Sequence, residues 1–267
     1  MPKLSLSHAW EESTRVIARD GRLLLAVALA LFVLPGLVLD VSMPDAVAGA
    51  LPPAGVWIPI AVIALLISLV GQLAVIRLAM APHLSVGEAI VHGVRRLFPY
   101  LVAVLVWIVP ILLVGSVLYN LADVSSTHPS VGAALGLLLL TAIGAYLGVR
   151  LMLSSAVASA ENVGPFAIIA RSWRLSGGSW WRLFAFLLLF GIGALCLLLA
   201  VESVAGVLLR MVVQDSGPRS LGGLLVAIVS QVISALLSVV FFVMLARIYA
   251  QLSGGAQAQP SVPSSGT

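Results

Sequence analysis

The sequence predicts an all-α, polytopic membrane protein with six transmembrane helices and three interfacial amphipathic helices arranged in a threefold internal repeat. Three observations predict it. Of 267 residues, 61% are hydrophobic and 9% charged, and the mean hydropathy is +1.16. That much apolar surface exceeds what a water-soluble core encloses, so lipid must cover it. Six segments reach the length of roughly 17–25 apolar residues that one helical crossing of the hydrocarbon requires. Finally, the breakers Gly21, Pro99 and Gly177 recur at one interval, since 99−21 and 177−99 are both 78.

The first unit covers residues 5–80. From Ser7 to Asp20, Glu11, Arg15 and Arg19 recur every four residues, with Trp10 and Ile17 on an apolar side, so an interfacial helix is expected that stops at Asp20-Gly21. The span Leu23–Leu39 follows, and Pro35-Gly36 should kink or fray its outer end. This run could be read as a signal peptide cleaved near Ala46-Val47-Ala48. It exceeds the usual h-region of about 7–15 residues, however, and a structured helix precedes it, so it is kept as a span. Val56–Ile76 returns.

The second unit, 84–153, begins with Val86, Ile90, Val94 and Leu97 at helical spacing opposite Glu88, His92, Arg95 and Arg96. Ser85 and Glu88 form a capping box at its start, and Pro99 should end it. Spans Tyr100–Tyr119 and Val131–Leu153 follow. The third unit, 164–250, opens with Gly164–Ser176, where Phe166, Ile169 and Trp173 face one way and Arg171 and Arg174 another, with Gly177-Gly178 as the stop. Its spans are Leu183–Val201 and Leu221–Tyr249. Units of two spans keep one orientation, so they should be parallel repeats about an axis along the membrane normal. Residues 1–252 thus form a single membrane domain, and 253–267, rich in Gly, Ser, Pro and Gln, read as a disordered tail.

Charge sets the expected orientation. Lys3, Arg15, Arg19, Arg22, Arg77, Arg95, Arg96, Arg150, Arg171, Arg174, Arg182 and Arg247 fall on one side. The other has Arg210 and Arg219 with Asp40, Asp45, Asp123 and Asp215. By the positive-inside rule this is a multi-pass protein of the bacterial inner membrane with both termini cytoplasmic. Arginines spaced between spans exclude a nucleic-acid module.

No catalytic, cofactor or metal site is expected. His8, His83, His92 and His128 are scattered with none at i,i+4 spacing, and Cys196 stands alone. Glu88 and His92 read as a solvated i,i+4 pair, and Glu202 as a structural partner of Arg210. Gly132, Gly136, Gly144 and Gly148, at multiples of four, should let another helix approach closely. Arg95, Arg96, Arg171 and Arg174, with Trp173, are candidates to contact lipid head groups, although anchoring alone is the simpler account. Arg77, Arg150 and Arg247 are candidate buried arginines at helix ends. The expected partners are therefore membrane lipids, anionic ones above all, or another membrane protein. The function read from this is a non-catalytic membrane protein acting in envelope organisation or homeostasis. Gln72, Gln231 and Glu202 in or near spans keep a transporter or lipid-moving protein as the alternative.

The stretch Glu161-Asn162-Val163-Gly164-Pro165, followed by Arg171-Ser172-Trp173-Arg174-Leu175-Ser176-Gly177-Gly178-Ser179-Trp180-Trp181-Arg182, carries a resemblance. It is similar to the signature of the membrane domain attached to some bacterial glycerophosphoryl diester phosphodiesterases, and of related stand-alone inner-membrane proteins. The resemblance implies repeated spans with interfacial helices. It implies no activity, because the catalytic part of the fused proteins is a separate soluble barrel of about 250 residues that nothing here could house.

Overall fold

The computed structural model describes residues 5–44, 53–81, 84–122, 130–212 and 221–257, and every regular element among them is helical. The helices are α1 (Leu6–Ala28), α2 (Leu34–Ser42), α3 (Trp57–Met80), α4 (Val86–Ala122), α5 (Val131–Leu151), α6 (Ser154–Ala160), α7 (Pro165–Gly177), α8 (Trp180–Val212) and α9 (Leu221–Gln257). A π-helical turn, Leu29–Val33, fuses α1 to α2. Among the described residues six stretches are long and apolar enough to cross a membrane: Leu6–Ser42, Trp57–Met80, Val86–Leu121, Val131–Ala160, Trp180–Val204 and Leu224–Gly254. The chain is thus an all-α, multi-pass membrane protein. Lys3, Asp45, Ala46-Val47-Ala48, His83, Asp123, His128, Asp215 and Arg219 lie outside the described residues, as does the side chain of Arg210.

Several expected breaks are absent. Asp20-Gly21 does not stop the first amphipathic segment, because α1 runs through both residues to Ala28. Asp20 is engaged by Arg19 at 2.6 Å, and one helical glycine costs only about 1 kcal/mol against the packing of α1 along α9. Pro99 likewise lies inside α4, as does Pro110. In an apolar segment no alternative satisfies the remaining backbone polar groups as well as helix, so one lost N–H is tolerated. Only Gly177-Gly178 acts as read, closing α7 one residue before the turn into α8.

Pro35 is accommodated without fraying. It offers no N–H to Leu31, and the chain responds upstream by shifting to an i−5 pattern, with the Leu34 N–H donating to the Leu29 carbonyl. The Ser68 hydroxyl comes within 3.5 Å of the Leu31 carbonyl oxygen from the neighbouring α3. At the other end of the chain, α9 continues to Gln257, so residues 253–257 of the expected disordered tail are helical; 258–267 lie outside the described residues.

Packing is tight at the end of the bundle that carries the basic residues and loose at the other. Leu73–Ile76, Leu153, Ala156–Ala158, Val243–Ala246 and Ile248 are all essentially buried. By contrast Leu112, Leu139 and Leu189, farther along their spans, are 64%, 63% and 77% exposed, the surface that lipid covers. Helix α3 lies at the centre, against α1, α2, α4, α6 and α9. Around it the contacts close in chain order: α3 on α4, α5 on α7 and α8, and α9 back on α1.

Close approach depends on glycines other than those expected. A Cβ on Gly93 would stand 2.8 Å from the Val70 carbonyl oxygen, and one on Gly71 2.8 Å from the Leu31 Cβ, so these two positions set the α3–α4 and α3–α1/α2 distances. Gly132, Gly144 and Gly148 have nothing within 4 Å of a Cβ, and Gly136 meets only the Leu118 side chain. The regular glycine stripe of α5 lies partly toward α4, where Gly136 meets Leu118, but it brings no backbone close in this chain; the fully buried positions of α5 are Val149 and Leu151.

Candidate functional site

The residues that could carry function gather at the basic end, around a short helix that periodicity did not disclose. Met152 and Leu153 form a turn that ends α5, and α6 then runs through the core with Ser154–Ser159 buried throughout. A helix of seven residues leaves most of its carbonyls without internal partners, and these need donors from elsewhere.

Arg96 supplies them. Its side chain is 9% exposed, and Nε donates to the Ala158 carbonyl at 2.8 Å. Nη1 donates to Asn162 Oδ1 at 2.8 Å, while Nη2 donates to the carbonyls of Glu161 at 2.5 Å and Val163 at 2.9 Å. Four of its five N–H groups are therefore committed to the α6–α7 connection. His92, one turn earlier, places Nε2 2.9 Å from the Ser159 carbonyl, and the Ser159 hydroxyl donates to the Leu73 carbonyl at 2.7 Å. Glu88 does not pair with His92. It closes the capping box on Ser85, accepting at 2.9 Å from the backbone N–H and 2.7 Å from the hydroxyl.

Glu161 joins three elements. Its Oε1 accepts from Arg171 Nε of α7 at 3.0 Å and from the Tyr249 hydroxyl of α9 at 2.8 Å. Of the four arginines expected to hold head groups together, Arg96 is thus withdrawn into the protein and the charge of Arg171 is offset. Arg95 and Arg174 remain exposed, with no protein acceptor among the described residues. Trp173 is 40% exposed, and its carbonyl and ring both serve Arg150.

The three helix-end arginines differ. Arg247 donates from Nη2 to the Ala79 carbonyl, at the end of α3, and its Nε is enclosed with no acceptor. Arg77 is half-buried, with no acceptor for its guanidinium among the described residues. Arg150 lies between two rings, 5.3 Å from the Tyr146 centroid and 4.9 Å from that of Trp173. It donates to the Tyr146 hydroxyl from Nε at 3.0 Å and from Nη2 at 2.9 Å, and its Nη1 is 3.5 Å from the Trp173 carbonyl. Beyond Tyr146 the rings continue: Trp180 at 5.5 Å, then Phe184 stacked on Trp180 at 5.2 Å, with Trp181 against both.

The polar residues that suggested transport are dispersed. Gln231 sits against Gly36, Gln72 lies with Tyr100, Ser154 and Ser155, and Glu202 is exposed on α8. Among the described residues no group of three or more His, Cys, Asp or Glu side chains is placed to hold a metal ion.

Sequence reasoning gave no role to Tyr146 or Tyr249, and it singled out Glu161, Asn162 and Trp180 only as part of the stretch that carries the resemblance, with no contact assigned to them. No protein-family model, curated protein or solved structure matches this chain.

Proposed function

We propose that this multi-pass membrane protein is a non-catalytic module that holds anionic lipid head groups at its basic, cytoplasmic face. One observation carries the reading: the structure divides the arginines of this end into two populations. Arg96, Arg171 and Arg247 are engaged by protein acceptors and serve the fold. Arg22, Arg95 and Arg174 are exposed on α1, α4 and α7 with no protein acceptor among the described residues. Three outward arginines on three separate elements suit the phosphates of a lipid surface, each adding roughly 1 kcal/mol near an anionic leaflet. Trp10, Phe166 and Trp181, exposed at the same end, supply the apolar and aromatic side of such an interface. The resemblance of residues 161–182 to a membrane domain that accompanies, but does not itself perform, phosphodiester hydrolysis fits the same role.

The test uses the full chain in nanodiscs containing phosphatidylglycerol and phosphatidylcholine. Replacing Arg22, Arg95 and Arg174 with Gln should reduce enrichment of phosphatidylglycerol around the protein about five-fold per charge, the equivalent of roughly 1 kcal/mol each. Enrichment unchanged in the triple variant refutes the proposal.

A further inference from the structure

We propose that the outer face of α8 from Phe184 to Leu195 holds one acyl chain of an anionic glycerophospholipid whose phosphate lies against Arg150. This rests on the lipid reading above and assigns it a specific site. Arg150 carries a full charge at the end of a span, and its partners are a hydroxyl, a carbonyl and two ring faces. None is an anion, and no salt bridge reaches Arg150 among the described residues. A cation in apolar surroundings at the membrane requires a counter-charge, and a guanidinium pairs with phosphate bidentately.

The aromatic run leads from that charge into an apolar groove. Tyr146 touches Trp180, Trp180 stacks on Phe184, and Phe184 forms the head of a groove lined by Leu187, Leu188, Gly191, Ile192 and Leu195. These positions follow one stripe of the helix. Eleven rises of 1.5 Å from Phe184 to Leu195 make it about 16 Å long, half of the roughly 30 Å hydrocarbon thickness and so one leaflet deep. Gly191 has nothing within 4 Å of where its Cβ would be, so an occupant can lie against the backbone.

Charge selects the occupant. The groove is an open face of one helix, and an acyl chain descending from Phe184 leaves its phosphodiester at the level of Arg150, whereas an apolar helix seated there would leave that charge unpaired.

The experiment is a native mass-spectrometric titration of the full chain in mild detergent with 1-palmitoyl-2-oleoyl-phosphatidylglycerol, and with the matching phosphatidylcholine. The wild type should retain one phosphatidylglycerol in preference to phosphatidylcholine. Gly191→Phe, whose Cβ meets nothing within 4 Å and whose ring occupies the groove, and Arg150→Gln, which removes the charge, should each weaken it at least about ten-fold. Arg150→Lys should recover part of the loss, separating charge from packing. The pair Arg95→Gln and Arg174→Gln should leave this one lipid bound. Retention of the tight lipid in both Gly191→Phe and Arg150→Gln overturns the proposal. If it is then lost in the Arg95 and Arg174 variant, the general lipid reading survives. Absence of any head-group preference in the wild type overturns both. A wild-type dimer that Gly191→Phe converts to monomer makes the occupant a second copy, which also overturns the acyl-chain site.

Discussion

Replacing Arg96 with Ala should be among the most damaging single changes at the basic end, and its cost follows from the acceptors it serves. Arg96 satisfies the carbonyls of Ala158, Glu161 and Val163 and the side-chain oxygen of Asn162. A buried acceptor left without a donor costs about 1–3 kcal/mol, and removing one partner from a buried charged network typically costs about 3–5 kcal/mol in all. A loss of about 4 kcal/mol is therefore expected. Arg96→Met restores much of the packing but no donor, so it should recover less than half. Arg96→Lys keeps the charge but cannot reach acceptors spread over residues 158–163 from one nitrogen, so it should also fall well short of wild type. The assay is equilibrium unfolding in mixed micelles of rising SDS fraction, followed by far-ultraviolet circular dichroism. Limited proteolysis between α6 and α7 provides a local readout, because the same bonds hold that connection. A loss below about 1 kcal/mol for Arg96→Ala, or wild-type stability for Arg96→Met, refutes the reasoning.

Two further predictions use other parts of the structure. Gly93→Ala should destabilise by about 1–3 kcal/mol, because its Cβ would stand 2.8 Å from the Val70 carbonyl oxygen, which no side-chain rotation can move. Gly144→Ala, with nothing within 4 Å, should be neutral or gain up to about 1 kcal/mol in the same assay, and a reversed order would refute the assignment of the close helix contacts. For orientation, in a Cys196→Ala background, Asp45→Cys and Asp123→Cys should react with an impermeant maleimide in intact cells, while Gly87→Cys and Gly178→Cys should react only after lysis. The reverse pattern would remove the cytoplasmic face on which the lipid proposal rests.

The sequence alone determined the class of this protein, because membrane insertion depends on properties that are local along the chain. Run length and hydropathy located the six long apolar helices found among the described residues, and the capping box of Ser85 and Glu88 was readable because its partners lie three residues apart. The glycine pair at 177–178 was readable for the same reason. What the sequence could not disclose was how residues distant in the chain meet. Arg95 and Arg96 are adjacent and chemically identical, yet one is exposed and the other is bound to carbonyls 62–67 residues away. Their roles were separated by the 100° turn of α4 between successive residues and by the position of α6 behind it. Glycine spacing misled similarly, since the regular stripe on α5 brings no backbone close in this chain while the isolated Gly93 and Gly71 set the contacts of α3. Pro99 shows the same limit from the other side: its local preference to end a helix was overridden where an apolar environment left the backbone no better partner than helix. Tertiary structure decided these points because burial, unlike hydropathy, belongs to the surfaces that meet and not to the residues taken singly.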